Sequence, residues 1–165
     1  MLLLSSCSTP EREVIAQRVQ KTRIDNALHA KSARIRVWRD TSTHDKHGWH
    51  IHSEQECKYS LTENEFKTAR YLVATQGYTT WRRENTAAPS LQATAQPYIV
   101  ELEWLDAARR PIGSIDIPAI CRESELGGIL TSDFPFVLPD EAHKQFFSLP
   151  GVDKALNIIA SPRQD

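Results

Sequence analysis

Hydrophobic and polar residues follow several different periods along the chain, and each period predicts a separate element. Over residues 13–30 the apolar side chains recur at a rough helical spacing, which predicts an N-terminal helix. Apolar and polar residues alternate over 33–37, which is typical of a strand with one buried face. The polar residues 40–48 predict a turn, and renewed alternation over 49–52 predicts a second strand that completes a hairpin.

The strongest helix signal follows a short strand that we predict over residues 57–61. Thr62 and Glu65 match the capping box, in which the two side chains bond to the first free amides of a helix. The spacing of apolar residues predicts that this helix continues to about Gln76. Gly77 is then expected to end the helix in the left-handed conformation.

The second half of the chain predicts more strands and two further helices. A strand is expected over 78–83, and the β-rich runs 98–105 and 112–117 predict a hairpin with central strands. Between them, residues 84–97 are rich in Ala, Thr, Gln and Pro, which indicates a mobile connection. A short apolar strand is expected after residue 133, followed by helices over 140–147 and 151–160.

Together these elements predict the α+β class. We expect an antiparallel sheet of about five strands, with helices packed mainly on one face. Hydrophobic residues make up 40% and charged residues 25% of the 165 residues, which fits one folded domain.

Charge and hydropathy narrow the range of partners. The chain has 20 basic and 21 acidic residues, and the formal net charge of -1 argues against nucleic acid. No apolar run approaches the ~20 residues of a membrane-spanning helix. Any membrane attachment is therefore expected to be covalent or to depend on a partner.

The first seven residues contain a candidate site for such a covalent attachment. Leu4-Ser5-Ser6-Cys7 resembles the lipobox of bacterial lipoproteins, in which an apolar signal segment ends at a cysteine. The resemblance implies cleavage before Cys7, a diacylglyceryl group on its sulfur, an acylated amino terminus and firm attachment to the lipid bilayer. Ser8, which is not aspartate, implies transport to the outer membrane and a place on its periplasmic face.

The resemblance divides the chain into three parts. Residues 1–6 are interpreted as a truncated signal remnant, 7–12 as the lipidated cysteine and a linker, and 13–160 as a single globular periplasmic domain. Only three leucines follow Met1, whereas a signal peptide has roughly 7–15 apolar residues after a basic segment. We interpret this as a start codon placed too far downstream or a shortened chain. The alternative is a cytosolic protein that begins with this motif by chance.

Two cysteines remain in the domain. In a compartment that oxidises thiols, Cys57 and Cys121 are expected to form a disulfide. Closing a loop of this length would stabilise the fold by roughly 4 kcal/mol. The alternative is two separate buried thiols.

Four histidines within nine residues form a candidate metal site. His44, His47, His50 and His52 could hold zinc or copper, because imidazole is a common ligand for both. The chain has no HExxH pattern and no paired cysteine spacing to define a ligand geometry. The alternative is a solvated polar hairpin.

Tryptophan and arginine form a candidate contact surface for another protein. The residue types enriched in protein interfaces are found at Trp38, Trp81 and Trp104, with Arg34, Arg36, Arg82, Arg83, Arg109 and Arg110 nearby in the sequence. Of these we favour Trp38, Trp81, Arg82 and Arg83, and the segment 84–97 is a second candidate. The alternative is that the tryptophans belong to the core and the arginines cover them.

No enzyme motif is visible in the sequence. It has neither a GxSxG elbow nor a phosphate-binding glycine loop, so we expect no catalytic residues and no cofactor. We therefore expect an envelope-anchored, non-enzymatic lipoprotein that binds another envelope or secreted protein, of the immunity, inhibitor or secretion and conjugation assembly type. The alternatives are a metal-binding envelope protein that uses the histidine hairpin and a cell-wall hydrolase.

Overall fold

The computed structural model describes residues 9–46, 48–81, 98–118 and 134–160. In chain order, its elements are α1 (Thr9–His29), β1 (Ser32–Asp45), β2 (Gly48–Ser60), α2 (Glu63–Thr75), β3 (Tyr78–Thr79), β4 (Tyr98–Leu105), β5 (Pro111–Pro118), β6 (Phe136–Val137), α3 (Asp140–Phe147) and α4 (Pro150–Ala160).

The predicted α+β fold with an antiparallel sheet is confirmed. Four strands form the main sheet in the order β2-β1-β4-β5, and every neighbouring pair is antiparallel. The short strands β3 and β6 form a separate antiparallel pair. The described part of the chain thus has a four-stranded sheet and a two-stranded pair where one sheet of about five strands was expected.

The core lies between one face of the sheet and the helices. Ile35 and Val37 on β1 are fully buried, as is Leu102 on β4, because alternate residues of a strand point to one face. From the helical side, Leu72 of α2 and Phe146 of α3 enter the same cluster. The intervening strand positions carry charged residues on the opposite face of the sheet.

The first hairpin is longer than predicted. The turn expected over 40–48 is wrong, because β1 continues to Asp45 and pairs with Gly48, leaving only positions 46 and 47 between the strands. Polar residues form the backbone hydrogen bonds of a strand pair just as apolar residues do. The polar character of residues 40–48 was therefore not evidence for a turn. The strands predicted over 49–52 and 57–61 are parts of one strand, β2.

The outer part of this hairpin extends beyond the rest of the sheet. Within the described residues, β1 pairs with β4 as far as Arg39, whereas its pairing with β2 continues to Asp45. We call residues 40–45 and 48–53 the outer hairpin. A register shift between Val37 and Trp38 lies just before it, where a bulge increases the local twist.

The capping box of α2 is confirmed. Thr62 accepts a hydrogen bond from the amide of Glu65, and the Glu65 carboxylate accepts one from the amide of Thr62 at 2.8 Å. The other oxygen of Glu65 accepts from the amide of Gly151 in the first turn of α4. One carboxylate, only 6% exposed, therefore binds the amino-terminal ends of two helices.

The left-handed conformation predicted for Gly77 is wrong, since its φ angle lies outside the range from +20° to +160°. Glycine is required there for space, because a Cβ atom would overlap the ring of Phe136. This close approach lets β6 pack against the end of α2. The strand predicted over 78–83 ends earlier, since β3 covers Tyr78–Thr79 and positions 80 and 81 are not in a strand, while positions 82 and 83 lie outside the described residues.

The β4–β5 hairpin is confirmed, with strands over the predicted runs. The prediction that both strands are central is wrong for the described sheet, in which β4 is central but β5 lies at the edge. Its turn places Arg109 at φ 60°, a left-handed conformation that is costly for a residue with a side chain. The Asp106 carboxylate accepts hydrogen bonds from the backbone amide and the side chain of Arg110, both at 2.9 Å. These bonds keep the turn closed despite the strain.

Candidate functional site

An open groove of about 500 Å³ lies between α1 and the segment that follows α2. One stripe of α1 forms the first wall, because its residues recur three and four positions apart and so share a helix face. The second wall is the short segment 78–81. The lining residues are Glu13, Ala16, Gln17, Gln20, Lys21, Ile24, Tyr78, Thr79, Thr80 and Trp81.

A polar network joins the two walls at the base of the groove. Gln20 donates from Nε2 to the carbonyl oxygen of Gly77 at 2.9 Å and accepts from the Thr79 hydroxyl at 2.7 Å. Arg23 donates to the same hydroxyl oxygen at 2.8 Å. The side-chain polar atoms of Gln20 and Thr79 thus bond to each other and to their neighbours.

Arg23 links this network to the small sheet. Its guanidinium lies 5.8 Å from the centre of the Phe136 ring, a distance at which a cation–π attraction acts. Burial lowers the pKa of Arg23, and the charge of Asp116 opposes that shift. Arginine has so high an ordinary pKa that the side chain stays charged at neutral pH.

Charged residues are found at the rim of the groove. Lys21 is 77% exposed and pairs with Asp25 one turn along α1, an interaction that contributes little to stability at this exposure. Glu13 lies two turns before Lys21 on the same helix face. The groove therefore has a mainly apolar wall with single charges at its edge.

A second charged region lies on the sheet face that points away from the core. Arg34 pairs with Glu103, and Arg36 lies 3.2 Å from Glu101. The strand register places Arg34 opposite Glu103 and Arg36 opposite Glu101, so these are direct cross-strand pairs. Opposite charges neutralise one another there, and the arrangement supports the sheet more than it attracts a charged ligand.

Of the residues predicted to bind a partner, the structure places only Trp81 in the groove, where its side chain is partly buried. Trp38 lies on β1 opposite Ile99, and its side chain is outside the described part of the structure. Arg82 and Arg83 fall outside the described residues. The core interpretation holds for Trp104, which is fully buried.

The strand register separates His44 from His50 and His52. Residues paired across an antiparallel ladder share a face, so position 44, opposite Trp49, is not on the face of positions 50 and 52. His47 lies outside the described residues, as do the side chains of His44, His50 and His52. No metal-binding group of side chains is present in the part of the chain that could be searched, and the histidine site stays a prediction.

The predicted disulfide also stays a prediction. Cys57 is partly buried and forms no disulfide with any described residue. Cys121 lies outside the described residues. Cys7, the predicted lipidation site, is likewise outside the described residues.

The α1 wall of the groove was not predicted from the sequence. Its signal was the rough apolar spacing of α1, where glutamines and a lysine occupy positions that a fully packed helix face would fill with apolar residues. A stripe of this mixed kind is consistent with a helix face that is only partly covered.

No helix in the described part of the chain combines the length and the apolar character needed to cross a membrane. No protein-family model, curated protein or solved structure matches the chain.

Proposed function

We propose that this protein is a lipoprotein anchored through Cys7 to the periplasmic face of the outer membrane, and that it binds another envelope or secreted protein. The proposed binding site is the groove between α1 and residues 78–81. Binding, without catalysis, is the function that we assign to it.

The observation that carries the proposal is the position of Trp81 in an open, mainly apolar groove. Tryptophan is enriched among the residues that contribute most to binding energy, because it buries a large area in one rigid side chain. Tyr78 and Ile24 add further apolar surface to the same walls.

The chemistry of the groove favours a protein segment over a small polar ligand. Small-molecule sites combine an enclosed apolar pocket with a few polar groups that point at the ligand. Here the polar atoms of Gln20 and Thr79 are bonded to Gly77, Arg23 and each other. The groove thus offers mainly aliphatic and aromatic surface, and an apolar segment of a partner fits it best.

Site-specific photo-crosslinking in living cells tests this proposal. A photoreactive phenylalanine analogue at Gln17, in the groove, should crosslink one defined envelope protein, which mass spectrometry would identify. The same analogue at Tyr71, which is 57% exposed on α2 and does not line the groove, is the control and should give no such product.

The purified partner then provides a quantitative test. Trp81→Ala should weaken its binding by at least about tenfold, equivalent to roughly 1.4 kcal/mol, while circular dichroism shows an unchanged fold. A Trp81→Ala protein that binds the partner as well as the wild type would contradict the proposal. Crosslinking from Tyr71 as strong as from Gln17 would also contradict it.

A further inference from the structure

The solvent face of α1 carries a stripe of five residues, which we call the α1 seam. Its members recur alternately four and three positions apart, so they share an arc of about 80° on the helix. They are Val14, Arg18, Lys21, Asp25 and Leu28. The centre of this arc lies roughly 150° around the helix from the buried Ala16 and Ala27. Of the five, Lys21 alone also lines the groove.

The α1 seam is apolar at its two ends and charged in the middle. Val14 is 47% exposed and Leu28 is 57% exposed, and they lie seven residues before and seven residues after Lys21. At 1.5 Å per residue each is about 10 Å from Lys21 along the helix axis. Arg18 and Asp25 carry opposite charges three residues before and four residues after the same centre. The seam therefore matches its own reversed copy, with apolar against apolar and basic against acidic.

We infer that two copies of the chain associate through their α1 seams, with the helices antiparallel and a two-fold axis near Lys21. A two-fold axis makes each contact occur twice. Leu28 of each copy then faces Val14 of the other, and Arg18 of each copy faces Asp25 of the other. The inference goes beyond the proposed function and depends neither on a lipid anchor nor on a ligand in the groove.

The charges of the seam select the antiparallel direction. In a parallel pair each residue faces its own equivalent, so Arg18 meets Arg18 and Asp25 meets Asp25, and both contacts are repulsive. The antiparallel pair replaces both repulsions with attractions. Lys21 lies at the axis in either case, but its ammonium group is 2.5 Å from the Asp25 carboxylate of its own chain. It is also 77% exposed, so the long side chain can point into solvent.

The association is expected to be weak. Exposed ion pairs each contribute little free energy, so the two apolar contacts supply most of the stability while the charges set the direction. A contact between single helices is at the small end of protein interfaces. We therefore expect a dissociation constant on the order of 10–100 µM.

Analytical ultracentrifugation over a range of concentrations tests the inference. The full chain carrying Cys7→Ser is used, so that neither acyl chains nor a disulfide through position 7 can produce a dimer. Leu28→Ala should weaken dimerisation at least about tenfold, because each substitution removes two contacts. Ile15→Ala is the matched control. Ile15 is 38% exposed and lies 100° around the helix from Val14, outside the seam, so its loss should have no effect.

Charge reversal tests the direction of the helices. Arg18→Asp should weaken dimerisation about tenfold, because two attractions become two repulsions. The double variant Arg18→Asp, Asp25→Arg should restore dimerisation to within about threefold of the reference, since the pair is re-formed with its charges exchanged. Circular dichroism checks that each variant keeps the helix content of the reference.

A chain that stays monomeric up to about 1 mM would overturn the inference, as would an equal loss in Ile15→Ala and Leu28→Ala. A double variant as weak as Arg18→Asp would overturn the antiparallel pairing. In cells, a photoreactive phenylalanine analogue at Leu28 should give a product of twice the mass of the chain. Crosslinking to a different protein alone would overturn the second copy as the occupant of the seam.

Discussion

Glu65 connects the amino-terminal ends of two helices that are far apart in the sequence. Burial alone would raise the pKa of this carboxyl, but hydrogen bonds from Thr62 and Gly151 outweigh it and hold the pKa below its ordinary value. The positive ends of the α2 and α4 dipoles stabilise the same negative charge. The local pattern of Thr62 and Glu65 predicted the α2 contact, whereas the α4 contact depends on tertiary packing.

We expect Glu65→Gln to lower the free energy of unfolding at pH 7 by about 2 kcal/mol. Glutamine replaces one carboxylate oxygen by an amide NH₂ group, which cannot accept the backbone hydrogen bond that this oxygen accepts. Urea unfolding measures the change. Glu63→Gln is the control, since Glu63 is exposed in the same helical turn and forms an exposed ion pair with Lys67. A loss as large in Glu63→Gln would show that the effect is not specific to Glu65.

The same carboxylate predicts a pH dependence. Because its pKa is lower in the folded protein, the stabilisation is complete above the unfolded value of about 4.3 and is lost as the pH falls through the folded value. Wild-type protein should therefore lose stability on acidification faster than Glu65→Gln. Parallel stability curves for the two proteins between pH 6 and pH 3 would contradict this.

Arg109 is the residue at which the backbone is strained. Replacing it with glycine should raise the free energy of unfolding by about 0.5 to 1 kcal/mol, because glycine adopts a positive φ angle without steric cost. Ala108→Gly in the same turn has no strain to relieve and should bring no gain. Thermal unfolding of both variants measures the difference, and equal gains would contradict the prediction.

At the scale of elements, the packing of β6 on the end of α2 depends on Gly77. Gly77→Ala should cost about 1 to 3 kcal/mol of stability, because the added methyl group overlaps the Phe136 ring and both lie in packed surroundings. Gly113→Ala is the matched control. Its methyl group would meet the side-chain amide of Asn26, which can rotate away.

A double mutant separates the overlap from other effects of the alanine. In a Phe136→Leu background, Gly77→Ala should cost less than in the wild type, because the smaller side chain leaves room. Chemical denaturation of the four proteins in the cycle gives the coupling energy. A zero coupling energy would exclude the overlap as the cause.

Elements with a local signal were predictable, and those that depend on long-range pairing were less so. The capping box predicted α2, and two runs rich in β-forming residues predicted β4 and β5, to within a few residues. The continuation of β1 through residues 40–45 had no local signal, because its pairing with β2 uses backbone groups that every residue carries. β3 is short in the described structure, where Tyr78 and Thr79 pair with β6.

At the scale of the whole molecule, Trp81 could be predicted as a candidate binding residue from its residue type alone, but the groove that it lines could not be predicted. The groove exists because α1 packs beside residues 78–81, more than fifty positions away, through Gln20 and Arg23. Hydrogen bonds of this kind follow from how the helix docks and leave no local pattern in the sequence.

The proposed compartment predicts the redox state of the protein. In native protein unfolded under denaturing conditions, Cys57 and Cys121 should react with iodoacetamide only after reduction, as mass spectrometry would show. Cys57→Ser should then lower stability by about 4 kcal/mol relative to the oxidised wild type, because the unfolded chain regains the freedom of a large loop. Two thiols that react before reduction would contradict both the bridge and the oxidising compartment.

The outer hairpin has a consequence for how the molecule opens. Among the described residues, the ladder beyond Arg39 consists of β1 and β2 alone, and an isolated two-stranded ribbon is only marginally stable in water. We therefore expect amide hydrogens in residues 40–45 to exchange with solvent when the two strands separate locally. Amide hydrogens in the part of β1 that pairs with β4 should exchange only through a larger unfolding event. A single continuous strand thus spans two regions that differ in cooperativity.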